Sequence, residues 1–249
     1  MKNINIYLKK LLGLFILVAL PYLYWTEFRE RDWQYVTLAD EELKKHYTDK
    51  KLVLKLYQLM KDFDEILGKN DIKYWIEGGT LLGAVRNEGI IKFDDDLDID
   101  IMREDEIKFQ DLIPEFEKLG YSINQQYIYI ICHKHKHPCL DVFVTHRRGD
   151  KTTYSSIPIR NTFPNSFFNM NELFPLKKYK FGNIEVYGPK SAKPYLDRQY
   201  PEWDKYAVIQ QKHTDFLYVL GINKIKFTLT PELLKPAEPL GPLEDRVIR

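Results

Sequence analysis

YWIEGGTLLGAVRNEGIIKFDDDLDIDI, residues 74–101, ends on five carboxylates in seven residues: Asp94, Asp95, Asp96, Asp98 and Asp100. From Asp96 onward acidic and apolar residues alternate. On a strand alternate residues share a face, so Asp96, Asp98 and Asp100 point one way while Leu97, Ile99 and Ile101 point into a core. Same-face carboxylates then lie about 6.5 to 7 Å apart, which costs about 0.6 kcal/mol per pair at the dielectric of water and several times that when partly buried. A sheet tolerates such self-repulsion only with compensation, and one or two oxygen-preferring cations, Mg²⁺ or Mn²⁺, supply it. A solvated acidic loop accounts for Asp94 and Asp95 but not for the apolar alternation. A calcium loop fits Asp94, Asp96 and Asp98 at its first, third and fifth positions and then fails. Ile99 stands where a sharp turn demands glycine, and Asp105 where a bidentate Glu is needed.

Eighteen residues before Asp96 stands Gly78-Gly79, between the apolar strand Tyr74-Trp75-Ile76 and a short helix expected over Thr80 to Asn87. A strand, two glycines and a helix N-terminus make a phosphate cradle, with Gly78, Gly79 and Thr80 as its backbone. By itself such a pair is more often a plain turn; beside carboxylates that hold metal it forms half of a phosphoryl or nucleotidyl transfer site. Arg86, on the same helix, either neutralises a second phosphate or is a surface arginine. A third carboxylate comes from Leu140-Asp141-Val142-Phe143-Val144. Asp141, a lone charge in an apolar strand, is a metal ligand or the base for an attacking hydroxyl, against the plainer reading of an edge residue facing water. The string from Cys132 to Cys139 contains His133, His135 and His137. A disulfide across a hairpin fits it at least as well as zinc, and the histidines, close to Asp141 in sequence, are candidates for a contact to substrate phosphate.

Around this centre the pattern is α+β, a small mixed sheet covered by helices. Val53, Leu56, Tyr57, Met60, Phe63 and Leu67 recur at helical spacing and predict a helix over 41–68, with Gly68 at its C-cap. Strands are expected at 72–76, 97–102, 121–132 and 140–146, and a helix at 104–119. Residues 150–201 read as long loops with a strand at 184–187, residues 206–221 as a helix, and 231–242, with four prolines, as an extended tail.

The whole chain has 249 residues, 37 Lys and Arg against 36 Asp and Glu, a net charge of +1, which excludes the basic excess of a nucleic-acid binder. Two cysteines exclude a disulfide-built scaffold. Leu11 to Trp25 is uncharged, preceded by three lysines and closed by Tyr22, Tyr24 and Trp25. As a helix it spans about 22 Å, short for the roughly 30 Å hydrocarbon core, yet its lysines and aromatic border fit an uncleaved signal anchor; a cleaved signal peptide or a buried helix is the alternative. The expected organisation is a cytosolic tail at 1–10, a transmembrane anchor at 11–25, a stem at 26–50, a catalytic domain at 51–230 and the C-terminal tail at 231–249.

Residues 74–101 closely resemble the signature of the LicD family, whose members include bacterial phosphocholine transferases, fungal mannosylphosphate-transfer proteins, and fukutin and fukutin-related protein. LDVFV at 140–144 and, more loosely, FGNIEVYGPKSAKPYLDRQYPEW at 181–203 extend the resemblance. It implies a nucleotidyltransferase-like fold and metal-dependent transfer of a phosphate-linked group, such as phosphocholine or ribitol phosphate, from a CDP-linked donor to a glycan acceptor. By position it puts Gly78, Gly79 and Thr80 in the donor phosphate loop, Asp96 and Asp98 on the metal pair and Asp141 on the distal acid. From the resemblance, Asp96, Asp98 and Asp141 are the expected catalytic and metal-binding acids, with Asp94 and Asp100 auxiliary. Lys92-Phe93 replaces the usual Pro-Trp, and Pro201 the usual Gly after tyrosine. These departures leave metal ligation intact and bear on acceptor recognition. With the anchor, the resemblance predicts a single-pass type II protein of the Golgi or ER membrane with a lumenal catalytic domain. A DxD glycosyltransferase using Asp96-Leu97-Asp98 on a nucleotide sugar, and a non-catalytic glycan-binding Golgi protein, are the rival readings.

Overall fold

The structure, a computed structural model, describes residues 34–35, 40–134, 136–210 and 224–247. They belong to two units, one of residues 34–35, 206–210 and 224–228, the other of residues 40–205 and 229–247. In the smaller, the short strand β1 (Gln34–Tyr35) runs parallel to Lys224–Thr228, which pairs antiparallel with Tyr206–Gln210. The helix expected from Tyr206 is corrected there: β-branched Val208 and Ile209 favour a strand, and an antiparallel partner is available. Residues 211–221 of that expectation lie outside the described residues, as do the cytosolic tail, the anchor at Leu11 to Trp25 and most of the stem. Among the described residues no helix is long and apolar enough to cross a membrane.

The larger unit opens with α1 (Asp40–Lys44) and α2 (Lys50–Lys69) in place of one continuous helix. The break has a local cause. Asp49 caps α2 by accepting the Lys51 N–H at 2.8 Å, a bond a mid-helix aspartate could not make. α2 buries the expected stripe from Val53 to Leu67. β2 (Tyr74–Ile76), α3 (Gly78–Arg86) and β3 (Asp96–Met102) follow where expected. The helix expected at 104–119 is three pieces, a 3₁₀ turn at Arg103–Asp105, α4 (Glu106–Asp111) and α5 (Ile113–Lys118), because Pro114 is tolerated only in a first turn. The expected strand at 121–132 folds back on itself as β4 (Tyr121–Gln125) and β5 (Tyr129–His133), and β6 (Lys136–Arg148) and β7 (Lys151–Tyr154) complete the sheet.

The strand order is β2-β3-β6-β5-β4, with β7 also on β6. Only the central pair β3–β6 is parallel; its neighbours are antiparallel. α2 packs on β3 and β6, and Tyr74, Ile76, Leu97, Ile99, Ile101, Leu140 and Val142 are buried on that face of the sheet. The region 150–201 is more ordered than its composition suggests. It holds β7, α6 (Ile157–Thr162), α7 (Met170–Leu173), a hairpin of β8 (Lys177–Phe181) and β9 (Ile184–Gly188), and α8 (Lys193–Gln199). Prolines mislead there because Pro158 and Pro194 stand in first turns, where they start helices.

Residues 229–247, expected from 231 on as an extended tail, turn at 230–235, carry no helix or strand among the described residues, and are fastened at several points. Asn87 Nδ2 donates to Leu233 O at 2.6 Å, the Ala237 N–H to Ile90 O at 2.8 Å, and Lys92 pairs with Glu232. Further on, Arg246 pairs at 3.2 Å with Asp62, a fully buried carboxylate that also accepts from Gln58 and Tyr121.

Candidate active site

β2 ends at Ile76 and hands the chain through Glu77 into the glycine pair, and the antiparallel β2–β3 pairing sets that turn against the acidic strand. Gly78 has φ +54°, in the left-handed region that only glycine occupies cheaply. A Cβ there would strike Asp98 Oδ2. The Gly78 N–H donates to the Tyr195 hydroxyl at 3.2 Å, and the Gly79 N–H to Asp98 Oδ2 at 3.3 Å. A Cβ on Gly79 would lie 2.8 Å from Asp94 Oδ2. The glycines therefore let carboxylates reach the backbone, and the two N–H groups expected to await a phosphate are already engaged. Thr80 is buried, and its Oγ1 accepts the Asp98 N–H at 2.8 Å, which makes the side chain a strut between α3 and β3.

Parallel register sets Asp98 opposite Asp141, so the third carboxylate does come from the neighbouring strand. Asp94, Asp95 and Asp96 each offer an oxygen within 4.8 Å of the others, which brings in Asp95 as well. Thr48 Oγ1 donates to Asp94 O at 2.8 Å and holds the start of the run. Burial first, then the charges of Asp96, Glu77, Asp94 and Asp141, pushes the Asp98 carboxyl well above the ordinary range. Asp94 is displaced the same way, by burial, by the Asp96 charge and by a hydrogen bond shared with Asp96. The donor set is oxygen only and lies beside the guanidinium of Arg86, which acts on Asp94, and such a set fits a hard divalent cation such as Mg²⁺ or Mn²⁺.

Asp100 departs from the expected open face. It is 2% exposed and turned toward Glu77; burial is the main cause of its raised pKa, the Glu77 charge adds to it and Trp75 on the facing strand eases it. Arg86 is not a free surface arginine: Nε donates to Asn87 Oδ1 at 3.0 Å and one terminal nitrogen to Trp203 O at 3.2 Å. Burial lowers its pKa to about 10, and the nearby Asp94 and Tyr200 work against that.

Sequence reasoning missed the layer beneath. Glu77, 2% exposed, accepts from the Tyr154 hydroxyl at 2.7 Å and from Tyr195 at 3.3 Å, and burial pushes its carboxyl up to about 7 despite both bonds. Tyr200 stands in the field of Asp98, Asp94, Glu77 and Asp96. A signal for Glu77 was present, a lone acid between an apolar strand and two glycines; the tyrosines, about a hundred residues on, carried none. Cys132 and Cys139 are register partners on β5 and β6 and form a disulfide, which corrects the zinc alternative. His133 packs on the Tyr121 ring among the charges of Lys55, Arg246 and Lys134, away from the carboxylates, and His135 lies outside the described residues. A cavity of about 480 Å³ lined by Tyr57, Lys180, Pro236 and neighbours contains none of these acids.

Residues 71–191 match the family described as LicD/FKTN/FKRP, nucleotidyltransferase domain. An uncharacterized protein of Rickettsia prowazekii (strain Madrid E) is 54% identical over 241 residues, 96% of this chain and 90% of that one. Another, of Rickettsia typhi (strain ATCC VR-144 / Wilmington), is 53% identical over 242 residues, 96% of this chain and 76% of that one. The lipopolysaccharide cholinephosphotransferase LicD of Haemophilus influenzae (strain ATCC 51907 / DSM 11121 / KW20 / Rd) is 37% identical over 68 residues, 25% of this chain and 26% of that one. Residues 71–191 of the chain form a domain of the LicD family. A crystal structure of ANT(2″)-Ia in complex with adenylyl-2″-tobramycin superposes with a TM-score of 0.39 at 15% identity, over 66% of this chain and 85% of that one, a likeness that carries no further weight. The family makes a phosphotransferase-type activity the frame for the site.

Proposed function

We propose that the chain transfers a phosphate-linked group, phosphocholine or a sugar or polyol phosphate, from a CDP-type donor to a glycan acceptor with a divalent cation. The observation that carries this reading is Asp98 opposite Asp141, with Asp94 to Asp96 and the glycine turn at their side. Bound Mg²⁺ or Mn²⁺ supplies charge neutralisation for the donor diphosphate and the departing nucleotide. Asp96 and Asp98 are the ligands in this scheme, assisted by Asp94 and Asp95. The Gly79 N–H, held by Asp98, is the donor that a phosphate oxygen takes over, and Tyr195 fixes Gly78 behind it. Arg86, anchored on Trp203, adds positive charge from the far end of α3. Asp141 takes the proton of the attacking sugar hydroxyl, and positioning does most of the remaining work.

Thermal melting of the full chain with Mn²⁺ tests this directly, because a ligand that binds the native state raises its midpoint by mass action. CDP-choline is expected to stabilise the metal-loaded protein and to release CMP in the presence of a glycan, and Asp98→Asn and Asp141→Asn to abolish release. Stabilisation by UDP-glucose and none by CDP-choline would return the DxD glycosyltransferase reading. For the anchor, both near-full-length relatives are bacterial, so we place it in a bacterial envelope membrane rather than the Golgi or ER; carbonate extraction of membranes leaves an anchored chain in the pellet.

A further inference from the structure

A second cleft opens where β3 gives way to the 3₁₀ turn, with a volume of about 230 Å³ and walls from Arg103, Glu106, the β4–β5 turn at Gln125 to Tyr129, Val144 and Ser155-Ser156. That is below the roughly 300 to 1,000 Å³ of a drug-sized pocket and leaves room for about one sugar ring. Its floor is a fixed polar network: the Tyr129 hydroxyl donates to Glu106 Oε1 at 2.9 Å and accepts from Gln110 at 2.6 Å and Gln125 at 2.8 Å. One wall holds an unanswered group. Ser156 Oγ is buried with no hydrogen-bond partner, although Ser156 stands at the N-cap of α6, where its side chain would ordinarily satisfy the helix. At the rim Tyr127 is 64% exposed, a rigid ring with an apolar face and a polar tip. No hydrogen bond or ion pair takes up the Arg103 guanidinium among the described residues. Arg103, Arg148 and Arg160 all act on neighbouring His146, whose pKa falls by burial and by these three charges.

We propose that this cleft is a saccharide subsite that takes a pyranose ring bearing an anionic substituent. The ring lies against Tyr127, its hydroxyls meet Ser156 Oγ and the glutamine amides, and its acidic group meets Arg103. An aromatic face, side-chain amides and one unpaired guanidinium together suit an acidic sugar better than an apolar ligand, which would leave Ser156 unsatisfied. The saccharide class rests on the reading of the acceptor as a glycan; the location does not. Arg103 follows Asp98 by five residues, just beyond the end of β3, and Tyr129 and Val144 belong to the sheet face opposite Asp98, so the cleft is separate from the carboxylate site.

The test is microscale thermophoresis on the full chain in EDTA, with a hyaluronan tetrasaccharide as the acidic probe and chitotetraose as the neutral one. The acidic probe is expected to bind at least tenfold more tightly. Tyr127→Ala weakens both probes at least tenfold without altering the fold, since the ring is exposed, and Arg103→Gln removes the preference for acid. Asp98→Asn leaves both affinities unchanged. No binding of either probe, binding indifferent to Tyr127→Ala, or binding lost in Asp98→Asn would each overturn the subsite. Because metal and nucleotide are absent, failure of the transfer reading leaves this result standing, and the reverse holds too.

Discussion

Replacing Glu77 by glutamine tests the buried layer under the aspartates. The glutamine Oε1 can keep the 2.7 Å bond from Tyr154, while its amide faces Asp100 and the weaker 3.3 Å contact to Tyr195 is lost. That loss costs about 1 kcal/mol at any pH. The charge effect is pH-dependent. The folded carboxyl, at about 7 against an ordinary 4.5, binds its proton more tightly than the unfolded one. Between those values the native state holds the extra proton, so its stability falls as pH rises and is lowest above 7. At about 1.4 kcal/mol per pH unit the whole displacement is worth about 3 kcal/mol, of which about 1 kcal/mol is already lost at pH 5 and the rest by pH 8. Glu77→Gln is therefore expected to match the wild type at about pH 5, where the lost hydrogen bond and the charge effect offset each other, and to be more stable at pH 8 by about 2 kcal/mol. Asp94, Asp98 and Asp100 are displaced in the same direction, so both proteins retain some slope. Urea unfolding in EDTA at the two pH values measures the divergence. A difference between the proteins that does not change with pH, or a variant less stable at pH 8, would refute the reasoning.

Gly79→Ala puts a Cβ 2.8 Å from Asp94 Oδ2 and forces that carboxylate aside; titration with Mn²⁺ is expected to show affinity down about tenfold, and an unchanged affinity removes Asp94 from the cation site. Arg246→Ala strips an ion pair from buried Asp62, which keeps its bonds to Gln58 and Tyr121, so unfolding free energy is expected to drop by about 2 kcal/mol. A loss under about 0.5 kcal/mol would show residues 244–247 to be unfastened in solution. Reducing Cys132–Cys139, seven residues apart, is expected to cost at most about 2.5 kcal/mol by chain entropy, less because the β5–β6 register already holds the ends together. Melting with and without reductant reads it, and identical curves would mean that the bond is not formed.

The centre of the sheet was legible because two periods coincide in it. Leu97, Ile99 and Ile101 alternate with acids on β3 and all three are buried, and the α2 stripe is equally regular. Asp141 was legible as the one charge in an apolar strand. What escaped was set by distance along the chain. Asp100 shares the parity of Asp96 and Asp98, yet Glu77, and Tyr154 from a later segment, stand against it, which no alternation can announce. Arg86 reads as a surface residue until Trp203, 117 positions away, takes its hydrogen bond. Helix breaks at Asp49 and Pro114 were visible as residues and misjudged as helix interior. Between 150 and 201 the prolines and asparagines that suggest loops are in fact helix starts and caps, among them the Asn169–Glu172 capping box.

The fastening of residues 232–237 onto Asn87 to Lys92 has a consequence for synthesis. The loop that leads into the aspartates is held by carbonyls and a carboxylate about 140 positions further on, 146 in the case of Asn87 and Leu233. At about 5 to 20 residues per second a ribosome needs about 7 to 30 seconds to make that interval. During it the nascent chain carries its acidic run without the strap that secures it, and a product released before residue 232 never acquires one. Securing the loop that leads into the aspartates thus waits on residues 232–237, so a chain cut short of them carries the acidic run without that support.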